Sequence, residues 1–390
     1  MQSETNAAYT RAKTFKAKII RAAVGAMFFM AGLCFASWAS RIATIQQKLS
    51  LNDAALGGVL LALPTGLMIS LPVSGWLVNK IGSRRMLSVA LIIYAVALIG
   101  LGSVNQVFYL IVILVCFGFA GNMTNIAVNT QAIATEKLYT KPIMASFHGL
   151  WSLAGFAGAG IGTFMIAKSI APIYHFTIIA SITTAAVILC WKNLHNDRNK
   201  NAETPAFIMP DRSLIKLGLI GFCSMICEGA MFDWSVIYFK KIIMADKAWI
   251  GAGYTAFMLT MASGRFIADW FAHKFGLKRT LQLSGALTAT GLAVAVAFPH
   301  LITAIIGFLL VGFGVSSVVP LVYSAAGKSK TMSAGTAIAA VSTISFVGFL
   351  IGPPTIGFLA GAFTLRASFT FIAIMGSCVT ILATRAKLDN

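Results

Sequence analysis

Asn79-Lys80-Ile81-Gly82-Ser83-Arg84-Arg85 returns 194 residues later as His273-Lys274-Phe275-Gly276-Leu277-Lys278-Arg279. The register extends outward from this stretch without a gap. Asn52 meets Asp246, Gly57 meets Gly251, Gly118-Phe119 meets Gly312-Phe313, and Gly158 meets Gly352. At an offset of 196, Trp38 meets Trp234. A period of about half the chain is a duplicated half-molecule rather than the ~20–50-residue period of a solenoid.

The solvent of these halves follows from composition. Hydrophobic residues make up 58% of the 390 and charged residues 11%, against roughly 25% charged in a soluble domain. The mean hydropathy is +0.84. Such a chain needs the bilayer around it, and at about 20 apolar residues per span there is length for about twelve spans. We read them at 21–43, 54–78, 85–104, 107–134, 142–167 and 171–191, and again at 214–240, 249–272, 279–298, 301–324, 332–359 and 364–384. The fold class is therefore an all-α integral membrane protein of twelve helices in two pseudo-symmetric six-helix bundles. The bundles cover 1–191 and 214–390, joined by a polar linker over 192–213. Two similar bundles in a membrane point to a transporter that rocks about a central site.

The formal charge of +19 is distributed by side. Arg11, Lys13, Lys16, Lys18 and Arg21 precede the first span, and alternate connections repeat the bias: Lys80, Arg84, Arg85, Lys137, Lys192, Arg198, Lys274, Arg279, Lys328 and Arg385. The connections between them, 103–106, 299–300 and 360–364, carry no Lys or Arg. The positive-inside bias places both termini and the linker in the cytoplasm. No basic region is long enough to form a nucleic-acid reader. The basic groups favour anionic lipid headgroups instead. All six cysteines lie in apolar runs and read as small packing residues. The basic start followed by an apolar run resembles a signal peptide, but Phe35 to Trp38 has a counterpart in Met231 to Trp234, so this span belongs to the fold. Asn52-Asp53 and Asp246 precede the second span of each half and can cap it. Pro64, Pro72, Pro320, Pro353 and Pro354 lie inside spans and favour kinks.

Gly75-Trp-Leu-Val-Asn79-Lys80-Ile-Gly82-Ser-Arg84-Arg85 resembles the loop signature of the major facilitator superfamily: glycine, three residues, an acid, a basic residue, then glycine and a basic pair. With twelve spans, the central loop and the two halves, the resemblance covers almost the whole chain. Phe35-Ala-Ser-Trp38-Ala-Ser-Arg41-Ile42 and Glu228-Gly-Ala-Met-Phe-Asp233-Trp234-Ser235 look like a bacterial branch distantly similar to fucose permease-type sugar symporters. The resemblance implies secondary transport across a bacterial inner membrane, by a monomer, of a small polar solute, without a cofactor. In the family the loop acid pairs with basic groups and holds one side shut. Here Asn79 and His273 stand in its place. The carried-over gating role falls on Asp269 with Arg265, Lys278 or Arg279, and in the first half on Asn79, Arg84 and Arg85. Glycine-dense fifth and eleventh spans favour close packing or bending. The Gly352-Pro353-Pro354 break lies in span eleven, and span five has no proline, unlike the superfamily's antiporters.

Two acids lie deep in predicted spans, Glu228 and Asp233. Glu228 is about 21 Å along its helix at 1.5 Å per residue, and a charge at that depth costs roughly 2.5–3.5 kcal/mol. Such a group is expected to face a cavity or a partner. Either acid could carry the coupling proton, or Asp233 could form a fixed pair with Arg41 at the outer end of span one. Asn122, Asn125 and Asn129 share one face of span four and can bind solute hydroxyls or bond to a neighbouring helix. His148 and Trp151 suit stacking on a sugar ring. Trp38 and Trp234 are expected to flank the solute path or to anchor at the interface. The five histidines are scattered, with no nucleophile and base in proximity, so an intramembrane enzyme is not favoured. Proton symport of a sugar-like solute leads. Proton-coupled efflux of a metabolite or drug is the alternative within transport, and a transporter-like membrane sensor the alternative outside it. The deep acids occur only in the second half and the amide stripe only in the first, which assigns the proton to one half and the solute to the other.

Overall fold

The computed structural model describes residues 2–139, 143–196, 212–329 and 334–386, with side chains from residue 15 onward except at a few helical positions, Asn79 and Asp269 among them, which lie outside the described residues. The chain order is α1 (Gln2–Lys48), α2 (Asp53–Leu60), α3 (Ala62–Ile81), α4 (Ser83–Ser103), α5 (Val107–Glu136), α6 (Met144–Ala167), α7 (Pro172–Cys190), a 3-10 turn, α8 (Arg212–Lys241), α9 (Ala252–Phe275), α10 (Leu277–Ala297), α11 (Leu301–Ala326), α12 (Ala334–Ala362) and α13 (Leu365–Arg385). Among the described residues, eleven spans are long and apolar enough to cross a membrane. α9, with 24 residues, is the twelfth; Arg265, Asp269 and Lys274 lower its hydropathy. α2 and α3 are one span broken at Leu61. Pro64 supplies no N–H to Leu60, and its ring crowds that carbonyl. Most of the expected linker, residues 197–211, lies outside the described residues.

The duplication is visible in backbone geometry. Gly82 turns between α3 and α4 at φ 84°, and Gly276 turns between α9 and α10 at φ 80°. Both angles lie in the region that glycine enters without a Cβ penalty. Helix crossings repeat as well: Gly118 packs on the carbonyl of Leu63, and its mate Gly312 packs on the carbonyl of Phe257. At each crossing a side chain as small as methyl would strike backbone, which is the membrane use of small residues at helix interfaces.

One expected symmetry fails. Asn52 caps α2, accepting from the Ala55 N–H at 2.7 Å. Its mate Asp246 caps nothing, because an irregular turn intervenes and α9 starts after Gly251.

The bundles meet at the face opposite the basic connections. There α12 runs along α2, with Gly57 against Gly357 and Ala54 against Gly361. α6 runs along α9, with Gly251 against Thr163. Polar clasps surround these contacts: Lys241 with Asp53 at 2.6 Å, Lys240 with Gln47 at 2.5 Å, and Lys247 with Ser169. Toward the basic face α12 leaves the first bundle and scarcely touches α3. At the Gly57–Gly357 end the bundles are closed against each other, and α6 stays against α9 as far as Gly149 and Phe266.

Candidate functional site

At mid-depth, α6, α8 and α9 converge on one arginine. Glu228 on α8 is 7% exposed. Arg265 Nη2 donates to Glu228 Oε1 at 3.2 Å, and Arg265 Nη1 donates to Ser152 Oγ on α6 at 2.7 Å. The guanidinium lies 5.7 Å from the centre of the Trp151 ring, within cation–π range. Arg265 and Glu228 belong to the second bundle, and Ser152 and Trp151 to the first. One side chain therefore holds the deep carboxylate with one nitrogen and the opposite bundle with another. Removing either member of a buried ion pair typically costs about 3–5 kcal/mol, because the survivor keeps its charge without compensation.

Beyond this pair, toward the closed face, Phe232 of α8 forms an aromatic plug. Its ring is 5.2 Å from Phe35, 6.5 Å from Trp151, 6.4 Å from Tyr254, 5.7 Å from Phe257 and 6.3 Å from Phe349. These rings come from both bundles.

The structure redistributes the residues singled out from the sequence. Arg265 is not seen pairing near the basic face; it sits with Glu228, and the Asp269 side chain is outside the described residues. Arg41 and Asp233 do not form an ion pair. Arg41 is 1% exposed and donates to the carbonyl of Ile170 between α6 and α7. Asp233 has Tyr254 as its electrostatic neighbour. Trp38 and Trp234 are 1% and 0% exposed and pack in the protein core rather than at the cavity wall or the membrane interface. The Trp234 Nε1–H donates to the Pro353 carbonyl at 3.0 Å, and the Trp38 Nε1 has no partner.

The amide stripe divides. Asn122 is buried and donates to Ser70 Oγ on α3 at 2.6 Å, a bond between helices. Asn129 donates to the Asn125 side-chain oxygen at 2.9 Å, and Asn125 is exposed. His148, one turn before Ser152, is also exposed, with its ring edge-on to Phe28 at 5.4 Å. Arg84 lies 4.8 Å from the Trp191 ring, while Arg85, Lys278 and Arg279 are exposed. Among the described residues no cluster of His, Cys, Asp and Glu could hold a metal.

Ser152, Phe35, Phe232 and Phe349 were not anticipated. A usable signal did exist for the pair: Arg265 lies inside an apolar run, and a cation at that depth requires an anion at a matching depth. The aromatic plug has no such signal, because phenylalanines in spans are common and only tertiary packing singles these out.

Known proteins agree with this architecture. Residues 22–243 and 217–389 match the model of the Major Facilitator Superfamily. An uncharacterized MFS-type transporter of Yersinia pestis is 32% identical over 89% of this chain and 91% of its own. Membrane protein MosC of Rhizobium meliloti is 29% identical over 95% and 91%. Among solved structures, a bacterial homologue of the human lysosomal transporter Spinster, inward-facing and unoccupied, superposes with TM-score 0.75 at 12% identity, covering 95% of this chain and 97% of that one. The nucleoside transporter NupG superposes with TM-score 0.76 at 11% identity, covering 94% and 100%. The twelve helices, the duplicated halves and these matches make the chain a member of the Major Facilitator Superfamily, a membrane transporter and not an enzyme.

Proposed function

We propose that the protein is a proton symporter that imports a small, polar, ring-shaped solute across a bacterial inner membrane, with its basic face in the cytoplasm. The observation that carries this reading is Arg265 shared between Glu228 and Ser152. With Glu228 ionised, the guanidinium is held by an opposite charge. A proton on Glu228 cancels that charge and frees Arg265 to serve a solute acceptor or to let go of Ser152. Proton occupancy, solute occupancy and the contact between bundles are thereby linked through one side chain, as coupling requires. Trp151 offers a face for the ring, and the exposed Asn125 and His148, with Asn129, offer hydrogen-bonding groups. A sugar fits this chemistry. So does the ribose of a nucleoside, the solute class of the structural neighbour NupG.

The test uses purified protein in liposomes with an imposed pH gradient and a panel of sugars, polyols and nucleosides. Gradient-driven uptake of one class is expected, with Glu228→Gln abolishing accumulation but retaining exchange. If Glu228→Gln and Asp233→Asn both kept full gradient-driven uptake, proton coupling through these acids would be excluded. The aromatic wall of Phe35, Trp151, Phe232 and Phe349 favours a second reading, export of an apolar metabolite or drug. Reversed flux in the same liposomes identifies it.

A further inference from the structure

A cavity of about 710 Å³ lies between α1 and α6 with its polar end at the basic face. Its volume is within the roughly 300–1,000 Å³ of small-molecule pockets, and none of Glu228, Arg265, Ser152 and Trp151 lines it. On α6 it is lined by Ser146, Phe147, Gly149, Leu150 and Leu153. Their three- and four-residue spacing marks one helix face. His148, Trp151, Ser152 and Gly155 point elsewhere, toward the interior and α9. Leu153 is 46% exposed and Phe266 63% exposed, both apolar side chains on spanning helices that border this cavity. Phe29 and Leu150 line its deeper part.

The other end is cationic. Lys18 and Arg21 lie one turn apart on α1 at the rim, beside Tyr139 and Ser146. Arg21 donates to Ser146 Oγ at 3.2 Å and sits 5.4 Å from the Tyr139 ring. Among the described residues no carboxylate pairs with either cation. Glu136, at the end of α5, is occupied, accepting from the Ile143 and Met144 N–H groups at 2.7 and 2.8 Å. An apolar trough capped by two uncompensated cations, a phenol and a hydroxyl matches an acyl chain with a phosphate at its head. The bilayer supplies that combination at this depth.

We propose that this cavity is a binding site for an anionic phospholipid of the leaflet on the basic side. Its phosphate is held by Lys18 and Arg21, and an acyl chain lies along Phe29, Leu150 and Leu153. The chain ends against Phe266, which follows Arg265 on α9, so the lipid touches both bundles.

The test is native mass spectrometry of the full-length protein in detergent, titrated with phosphatidylglycerol or phosphatidylcholine. Wild type is expected to retain one phosphatidylglycerol in preference to phosphatidylcholine. Lys18→Gln with Arg21→Gln is expected to weaken retention about thirtyfold. Ala22→Trp, which leaves both charges but fills the trough, is expected to weaken it as well; this variant and Lys18→Gln alone decide the matter if the double variant does not fold. Inorganic phosphate is expected not to displace the lipid. Equal retention of phosphatidylcholine, retention unchanged in Ala22→Trp, or displacement by inorganic phosphate overturns the lipid site. None of these outcomes depends on which solute is carried or on proton coupling.

Discussion

Gly57 and Gly357 touch backbone to backbone across the two bundles: a Cβ on Gly57 would lie 2.8 Å from the Gly357 Cα. Their repeat mates, Gly251 and Thr163, form the corresponding contact between α9 and α6. The duplication therefore built this closure twice, and each copy depends on a glycine at the start of its half's second span. Gly57→Val and Gly357→Val are expected to open this face while leaving each bundle folded. The check is a spin-label distance between α2 at Ala55 and Phe363 just past the end of α12, where a longer population should replace the short one. The ion pair beside this contact, Lys241 with Asp53, is partly exposed. Asp53→Asn should therefore shift the same distribution much less, since exposed pairs are worth at most about 1 kcal/mol.

The Arg265–Glu228 pair makes a prediction about stability that is separate from transport. Glu228→Ala or Arg265→Ala alone leaves a buried charge without its partner and is expected to cost about 3–5 kcal/mol. The double variant removes both charges and should be less damaged than the sum of the singles. Thermal unfolding of the four proteins closes the cycle. An additive result would mean the two groups do not share one pair.

Architecture was legible in the sequence because its causes are local or repetitive. Apolar runs of span length, alternating Lys and Arg, and glycines recurring at one offset each report the membrane or the duplication directly. Glu228 was legible for the same reason, since an acid in an apolar run is an exception to the solvent around it. Its partner was harder to find. Arg265 lies on another helix at a different distance from its own helix end, and its long side chain spans the difference. Trp38 and Trp234 misled because an aromatic beside a polar residue looks the same in sequence whether it faces a cavity or a core. Only helix rotation distinguishes the two, and both rings turned inward.

Those two tryptophans differ in one respect that can be measured. Trp234 donates to the Pro353 carbonyl, and Trp38 donates to nothing. Phenylalanine at either position loses similar volume, but only Trp234→Phe also loses a hydrogen bond, worth about 1 kcal/mol. Trp234→Phe should unfold at a lower temperature than Trp38→Phe, with the solute KM unchanged in both. A KM effect from either substitution would place that ring at the solute.

The divided amide stripe separates structure from recognition on a single helix. Asn122 binds Ser70 between α5 and α3, so Asn122→Ala leaves a buried hydroxyl without its donor. The expected cost is about 1–3 kcal/mol of stability, with little change in KM. Asn125 is exposed three residues away, where its own side chain receives only Asn129. Asn125→Ala should spare stability and raise KM with kcat nearly unchanged, the pattern of lost uniform binding. Liposome uptake and thermal unfolding on the same two variants provide the check. If Asn125→Ala lowered the unfolding temperature and left KM alone, the stripe would be helix packing throughout, and solute recognition would fall to Trp151, His148 and Arg265.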